Sequence, residues 1–132
     1  MIGIGKLLDG YEENIQALLS EPYGSDTFKE AEENVIEVLK EVRGHISDKD
    51  LERLTTVLDE YGGQEILVEL AYTLGYIGTS KSFDYLLLMF NQSFADGCEE
   101  YGTAMACLEE MSVIDKERAK REGVFDHPML LE

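Results

Sequence analysis

The sequence predicts an all-α protein of about 6-8 helices, arranged as stacked antiparallel helical hairpins. Three observations predict it. Apolar residues recur at helical spacing in nearly every segment, strand-like alternation is weak throughout, and Gly, Ser, Asp or Pro stands near most junctions between periodic segments. The expected helices cover 4-19, 26-43, 48-60, 64-77, 80-92, 97-111 and 114-122.

In chain order, Pro22 and Gly24 part the first helix from the second. Ser25-Asp26 and Ser47-Asp48 are suited to cap the second and third, since their side-chain oxygens accept from unpaired first-turn amides. The second helix sets Phe28, Ala31, Val35, Leu39 and Val42 against Glu30, Glu33, Glu37 and Glu41 on the opposite side. Like charges one turn apart repel, so the acidic side reads as a solvated face. Helix 64-77 aligns Ile66, Leu67, Leu70, Leu74 and Ile77 as its core side. Helix 80-92 is apolar all round, with Phe83, Leu86, Leu87 and Phe90 on one side and Tyr85, Leu88 and Met89 on the other, which predicts the middle of the bundle. Helix 97-111 points Glu99, Thr103 and Glu110 one way beside Gly102 and Ala106, whose small side chains admit a neighbouring backbone. The tail 124-132 mixes Pro128 with apolar residues and is expected to dock on the last helices of a single domain, 1-132.

An internal echo supports the hairpins. Leu39, Gly44 and Ile46 fall on Leu70, Gly75 and Ile77 at a spacing of 31, and after a one-residue slip Leu51, Leu54, Val57 and Leu58 fall on Phe83, Leu86, Met89 and Phe90. Two hairpins of one design follow, with corners expected at Gly44 and Gly75 and a weaker third hairpin behind them. The run Leu74-Gly-Tyr-Ile-Gly-Thr-Ser-Lys-Ser-Phe-Asp-Tyr-Leu86 resembles a short HEAT-like repeat, in which a Leu-Gly-x-Ile-Gly corner joins two helices. It departs from that pattern in Thr79-Ser80-Lys81, where Asp-Pro-Arg is common, and in Ser82, where Ala is common. The resemblance implies a HEAT-like α-α superhelix and leaves partners open, because fold is not function.

Eleven basic against twenty-eight acidic side chains give a net charge of -17. Such a field opposes nucleic acid and anionic membranes and favours a basic partner. The N-terminal stretch lacks a long apolar region, and no run of ~18 apolar residues occurs, so a cytoplasmic chain with no membrane span is expected. Cys98 and Cys107, nine apart on one expected helix, would lie ~13 Å apart, too far for a disulfide.

Chemistry-bearing motifs are thin. His45 and His127 are the two histidines, neither with a nucleophile or metal partner at an informative spacing, and Walker, His-Glu-x-x-His and Gly-x-Ser-x-Gly motifs do not occur. The expectation is a protein without catalytic residues, metal site or cofactor. The candidate surface is the far side of helix 64-77, where Glu65, Glu69, Tyr72 and Tyr76 line up at i, i+4, i+7 and i+11. Tyrosine supplies rigid contact area with a polar tip, and the carboxylates can receive Arg or Lys from a partner. The alternative is that both rings pack under a neighbouring hairpin, with the glutamates at its rim. Glu99 and Glu110 form a second acidic edge.

In size, acidity, helical content and lack of catalytic motifs the chain is similar to the immunity proteins of bacterial toxin-immunity pairs, including those of contact-dependent inhibition. That resemblance implies a binding protein that neutralises a basic toxin domain, a nuclease above all, by occluding its substrate groove. A HEAT-like adaptor or secretion chaperone without inhibitory role is the alternative.

Overall fold

The structure is a computed structural model and describes residues 3–22, 24–43, 46, 48–55, 64–93 and 101–126. Its helices are α1 (Ile4–Ser20), α2 (Asp26–Val42), α3 (Leu51–Thr55), α4 (Gln64–Ile77), α5 (Ser80–Gln92) and α6 (Tyr101–Arg121). Short 3-10 turns at Asp48–Asp50 and Val124–Asp126 complete an architecture that, among the described residues, is wholly helical.

The first hairpin forms as its sequence dictates. Ser25 caps α2 by accepting from the Phe28 amide at 3.2 Å, and the predicted core side, Phe28, Ala31, Val35, Leu39 and Val42, is buried. The glutamate row on the opposite side is exposed. Asn34 donates to Asn14 at 3.3 Å and Thr27 to Glu21 at 3.0 Å, so α1 and α2 run antiparallel. Tyr11, fully buried on α1, donates its hydroxyl to the Leu54 carbonyl of α3. Arg53 adds bonds to Asp9 at 2.6 Å and Glu12 at 2.5 Å, and this ties α3 onto α1.

Two expectations need correction. Helix α5 is not the middle of the bundle: Asp84, Leu88 and Asn91 are exposed along it, while α4 packs against α2, α5 and α6 and is the central helix. Leu88 and the half-buried Tyr85 and Leu87 made α5 read as apolar all round, but one side of it still meets solvent. The corner between α4 and α5 is also not at Gly75. Helix α4 continues through Gly75 to Ile77, and the chain turns at Gly78, whose φ of 70° suits a residue without Cβ. The Gly78 amide still donates to the Leu74 carbonyl at 3.1 Å. The expected corner at Gly44, the cap at Ser47 and residues 56-60 of the third expected helix lie outside the described residues.

Thr79 and Ser82, the departures from the HEAT-like pattern, form a reciprocal capping box at the start of α5. The Ser82 amide donates to the Thr79 hydroxyl at 3.2 Å, and the Thr79 amide to the Ser82 hydroxyl at 2.9 Å. Two orphan amides are thereby satisfied without proline. Helix α6 is interrupted at Asp115, which has extended backbone (φ -158°, ψ 89°) and accepts from the Arg118 amide at 3.0 Å. The boundary expected at 112-113, between 97-111 and 114-122, falls instead at Asp115, inside the second expected helix, where the Asp115 carboxylate caps the segment that follows. Beyond the break, Arg118 lies 4.1 Å over the Phe83 ring and pairs with Asp84 of α5. Val124 is buried and Phe125 packs against the core, while residues 127-132 of the expected tail lie outside the described residues. One apolar cluster runs from Leu8 to Val124. No helix among the described residues is long and apolar enough to cross a membrane.

Candidate functional site

The outer side of α4 rests on a polar cluster that joins it to α2. Thr73 is fully buried, and its hydroxyl bridges the carbonyls of Glu69 at 2.9 Å and Leu39 at 3.2 Å. Arg43, from the end of α2, donates Nε to the Thr73 hydroxyl at 3.0 Å and Nη2 to the Glu69 carbonyl at 3.1 Å. The same Nη2 pairs with the Glu69 carboxylate at 2.5 Å. Glu69 is thus held by a cation of its own chain, and the cluster spaces α4 from α2.

The tyrosines stand clear of this cluster. Tyr76 is 67% exposed and Tyr72 38% exposed, so Tyr76 does not pack under a neighbouring hairpin, and Tyr72 is at most partly covered. Between them on α4 lies Gly75, where α6 makes its close approach. A Cβ on Gly75 would stand 2.8 Å from the Glu110 Cβ and would overlap the Glu110 carboxyl group itself. The missing side chain opens a notch, and Glu110 of α6 lies in it.

Glu110 is half-buried there, with no hydrogen-bond or ion-pair partner among the described residues. Burial raises its carboxyl pKa above the usual range, the neighbouring Glu109 raises it further, and the positive charge of Arg43 opposes both. Arg43, Glu69, Glu109 and Glu110 together carry more negative charge than positive. Further along α6, Met105 is 49% exposed and Val113 77% exposed, flanking the exposed Glu109.

The structure therefore brings Glu69, Tyr72, Tyr76 and Glu110 to one face of α4 and its seam with α6. Glu65 belongs to the first turn of α4 with its side chain outside the description, and Glu99 lies outside the described residues. Thr103 and Ala106, grouped with Glu110 in sequence, are buried, whereas Gly102 is exposed; the neighbours of α6 are α4 and α5 of the same chain. Sequence reasoning missed Arg43 as the partner of Glu69, and it missed the notch. Of the two glycines in Gly75-Tyr-Ile-Gly78, the second takes the left-handed conformation usual after a helix, and that leaves Gly75 free for contact.

Elsewhere the chemistry is sparse. Among the described residues no three His, Cys, Asp or Glu side chains are grouped to hold a metal. Cys107 is buried, and burial together with Glu110 pushes its thiol up to about 12. A cleft of about 200 Å³ lies between Gly78, Ser80, Phe83, Ile114, Asp115 and Arg118. Its guanidinium is already engaged by Asp84, Ser80 and the Phe83 ring. Comparison with protein-family models, with curated proteins and with solved structures returns no match.

Proposed function

We propose that this chain is a non-catalytic binding protein of the immunity type, which captures a basic protein domain and neutralises it by covering the groove where that domain holds its substrate. The observation that carries the reading is the pair of exposed tyrosines, Tyr72 and Tyr76, on the same helix as Gly75, against which Glu110 lies half-buried without a hydrogen bond or ion pair among the described residues. Exposed aromatic area beside desolvated charge is the composition of interface hot spots. The net charge of -17 supplies the long-range attraction. A nuclease fits as the target class because a surface that binds phosphates must be basic, and an acidic face competes for the same groups.

The test is co-purification from the native source followed by an activity assay of what is retained. The expected partner is a basic protein whose activity is lost on adding the chain and restored when Tyr76→Ala replaces it. A strongly acidic partner, or retention of RNA or DNA at physiological salt, removes the basis for the proposal. Met105 and Val113 favour the adaptor or secretion-chaperone alternative, since apolar contact without charge is what such a role requires. It predicts a partner held with its activity intact.

A further inference from the structure

We infer that the outer surface formed by α4 and α6 side by side is a docking face for one amphipathic helix of the partner, apolar along its inner side and basic at its edges. This inference rests on the binding role proposed above and names the element of the partner that the chain receives.

The face follows from how the two helices pack. Helices α4 and α6 lie against each other, so closely that a Cβ on Gly75 would stand 2.8 Å from the Glu110 Cβ. Each buries a second side in the same apolar cluster, through Leu70 and Leu74 on α4 and through Ala104, Cys107 and Met111 on α6. Neighbouring helices that share a core on one side expose their remaining sides on one surface. On α4 that side carries Tyr72 and Tyr76, one turn apart, and on α6 it carries Met105, Glu109 and Val113, spaced four apart. Among the described residues six large apolar side chains are exposed, and four of them, Tyr72, Tyr76, Met105 and Val113, stand on these two stripes. Exposed apolar side chains gathered in this way mark an interaction surface, whereas scattered ones do not.

The dimensions suit a helix. Packed helices are roughly 8–10 Å apart, so the two stripes border a shallow groove into which a third helix fits along one side. From Met105 to Val113 is a rise of about 12 Å, which matches two turns of a helix laid alongside, with apolar anchors at i, i+3 or i+4, and i+7.

Charge selects the occupant. Glu109 is exposed between Met105 and Val113. Helix α2 packs on the flank of α4 opposite Gly75, where Thr73 bonds to the Leu39 carbonyl and Arg43 to Glu69. It brings the exposed row Glu30, Glu33, Glu37 and Glu41, in which Lys40 is already paired with Glu37 at 4.0 Å. A second copy of the chain would set another charge of -17 against this one, and an anionic lipid surface is repelled in the same way. A helix with Lys or Arg beside its apolar stripe satisfies both the apolar area and the acidic border. The bordering carboxylates are exposed, so they set approach and orientation, while apolar contact supplies most of the affinity.

The probe is a blocked peptide of about fourteen residues, (Leu-Lys-Lys-Leu-Leu-Lys-Leu)2, titrated into the full chain at about 0.15 M salt and followed by amide chemical shifts. Its comparators are a peptide of the same composition in scrambled order and one with Glu in place of every Lys. The patterned basic peptide is expected to bind most tightly and to shift Tyr72, Tyr76, Met105 and Val113. Tyr76→Ser and Val113→Ser should each weaken it by roughly ten-fold, as loss of one buried apolar side chain does. Leu88→Ser removes a side chain 45% exposed on α5 and should change binding by less than about two-fold, since surface residues away from a contact contribute little. Melting curves for each variant confirm that the fold is kept. Four results overturn the inference while leaving the capture of a basic partner intact: shifts mapping away from α4 and α6, equal losses for Leu88→Ser and Tyr76→Ser, equal affinity for the scrambled peptide, or sedimentation as a dimer that Tyr76→Ser dissociates. Equal binding of the acidic peptide, or failure of every peptide to bind, overturns the basic-partner reading as well.

Discussion

Gly75 and Glu110 show how one absent side chain can define a surface. Gly75→Ala places a methyl group where the Glu110 carboxylate lies, and the expected cost is about 1–3 kcal/mol, typical of overpacking. Urea denaturation checks it. Glu110 also imposes a pH dependence. The folded chain holds its proton more tightly than the unfolded chain does, so its effect on stability is unfavourable above the raised pKa. That effect is relieved as pH falls through the window between the raised and the ordinary carboxylate values. Glu110→Gln is therefore expected to leave neutral-pH stability unchanged or higher and to flatten the stability profile across that window. A loss of stability at neutral pH would show that the carboxylate has a bond not accounted for. Cys107, with its thiol raised to about 12 and its side chain buried, should resist a thiol reagent in a Cys98→Ser background until denaturant is added.

Helix by helix, the hydrophobic periodicity was the legible part of the sequence. The α2 stripe and the Ile66, Leu67, Leu70 and Leu74 stripe of α4 are buried as the 3.6-residue period requires. Leu74→Ala should cost about 2–5 kcal/mol, since the side chain has no exposure and its loss leaves a cavity. What the period could not show was which side of an apolar helix meets solvent. In α5 that depends on where α4 and α6 happen to lie, and Leu88 is exposed on a helix read as central. Nor could spacing within α4 reveal that Glu69 is paired, because Arg43 comes from 26 positions earlier in the chain. The capping box was written in the sequence but with Ser82 in place of the usual Glu or Gln, and so its signature was incomplete. Thr79→Ala should cost about 1 kcal/mol by leaving a first-turn amide without its acceptor. A thermal melt of that variant matching the parent would show that water replaces the cap without loss.

The whole chain of 132 residues carries a net charge of -17, and that charge acts on stability. Self-repulsion disfavours the compact state, so the melting temperature is expected to rise between about 0.05 M and 0.5 M sodium chloride as screening shortens the Debye length. Association with a basic partner should respond in the opposite sense, slowing by about ten-fold or more over the same range while dissociation changes little. Stopped-flow measurements on the purified pair separate the two rates. The sequence made this polarity visible from composition alone, but composition does not say which face of the fold a partner would meet.

The interruption at Asp115 decouples two parts of α6 that would otherwise share one helical phase. In a continuous helix, inserting or deleting one residue rotates everything beyond it by about 100°, so a change at the seam with α4 would also turn Arg118 and Ala119 away from their neighbours. With extended backbone at Asp115, the phase is reset. The segment carrying Met105, Glu110 and Val113 can vary in length or pitch while the segment anchored on Phe83 keeps its register. The surface of that first segment is thereby free to drift under selection without dragging the closure of the fold along with it.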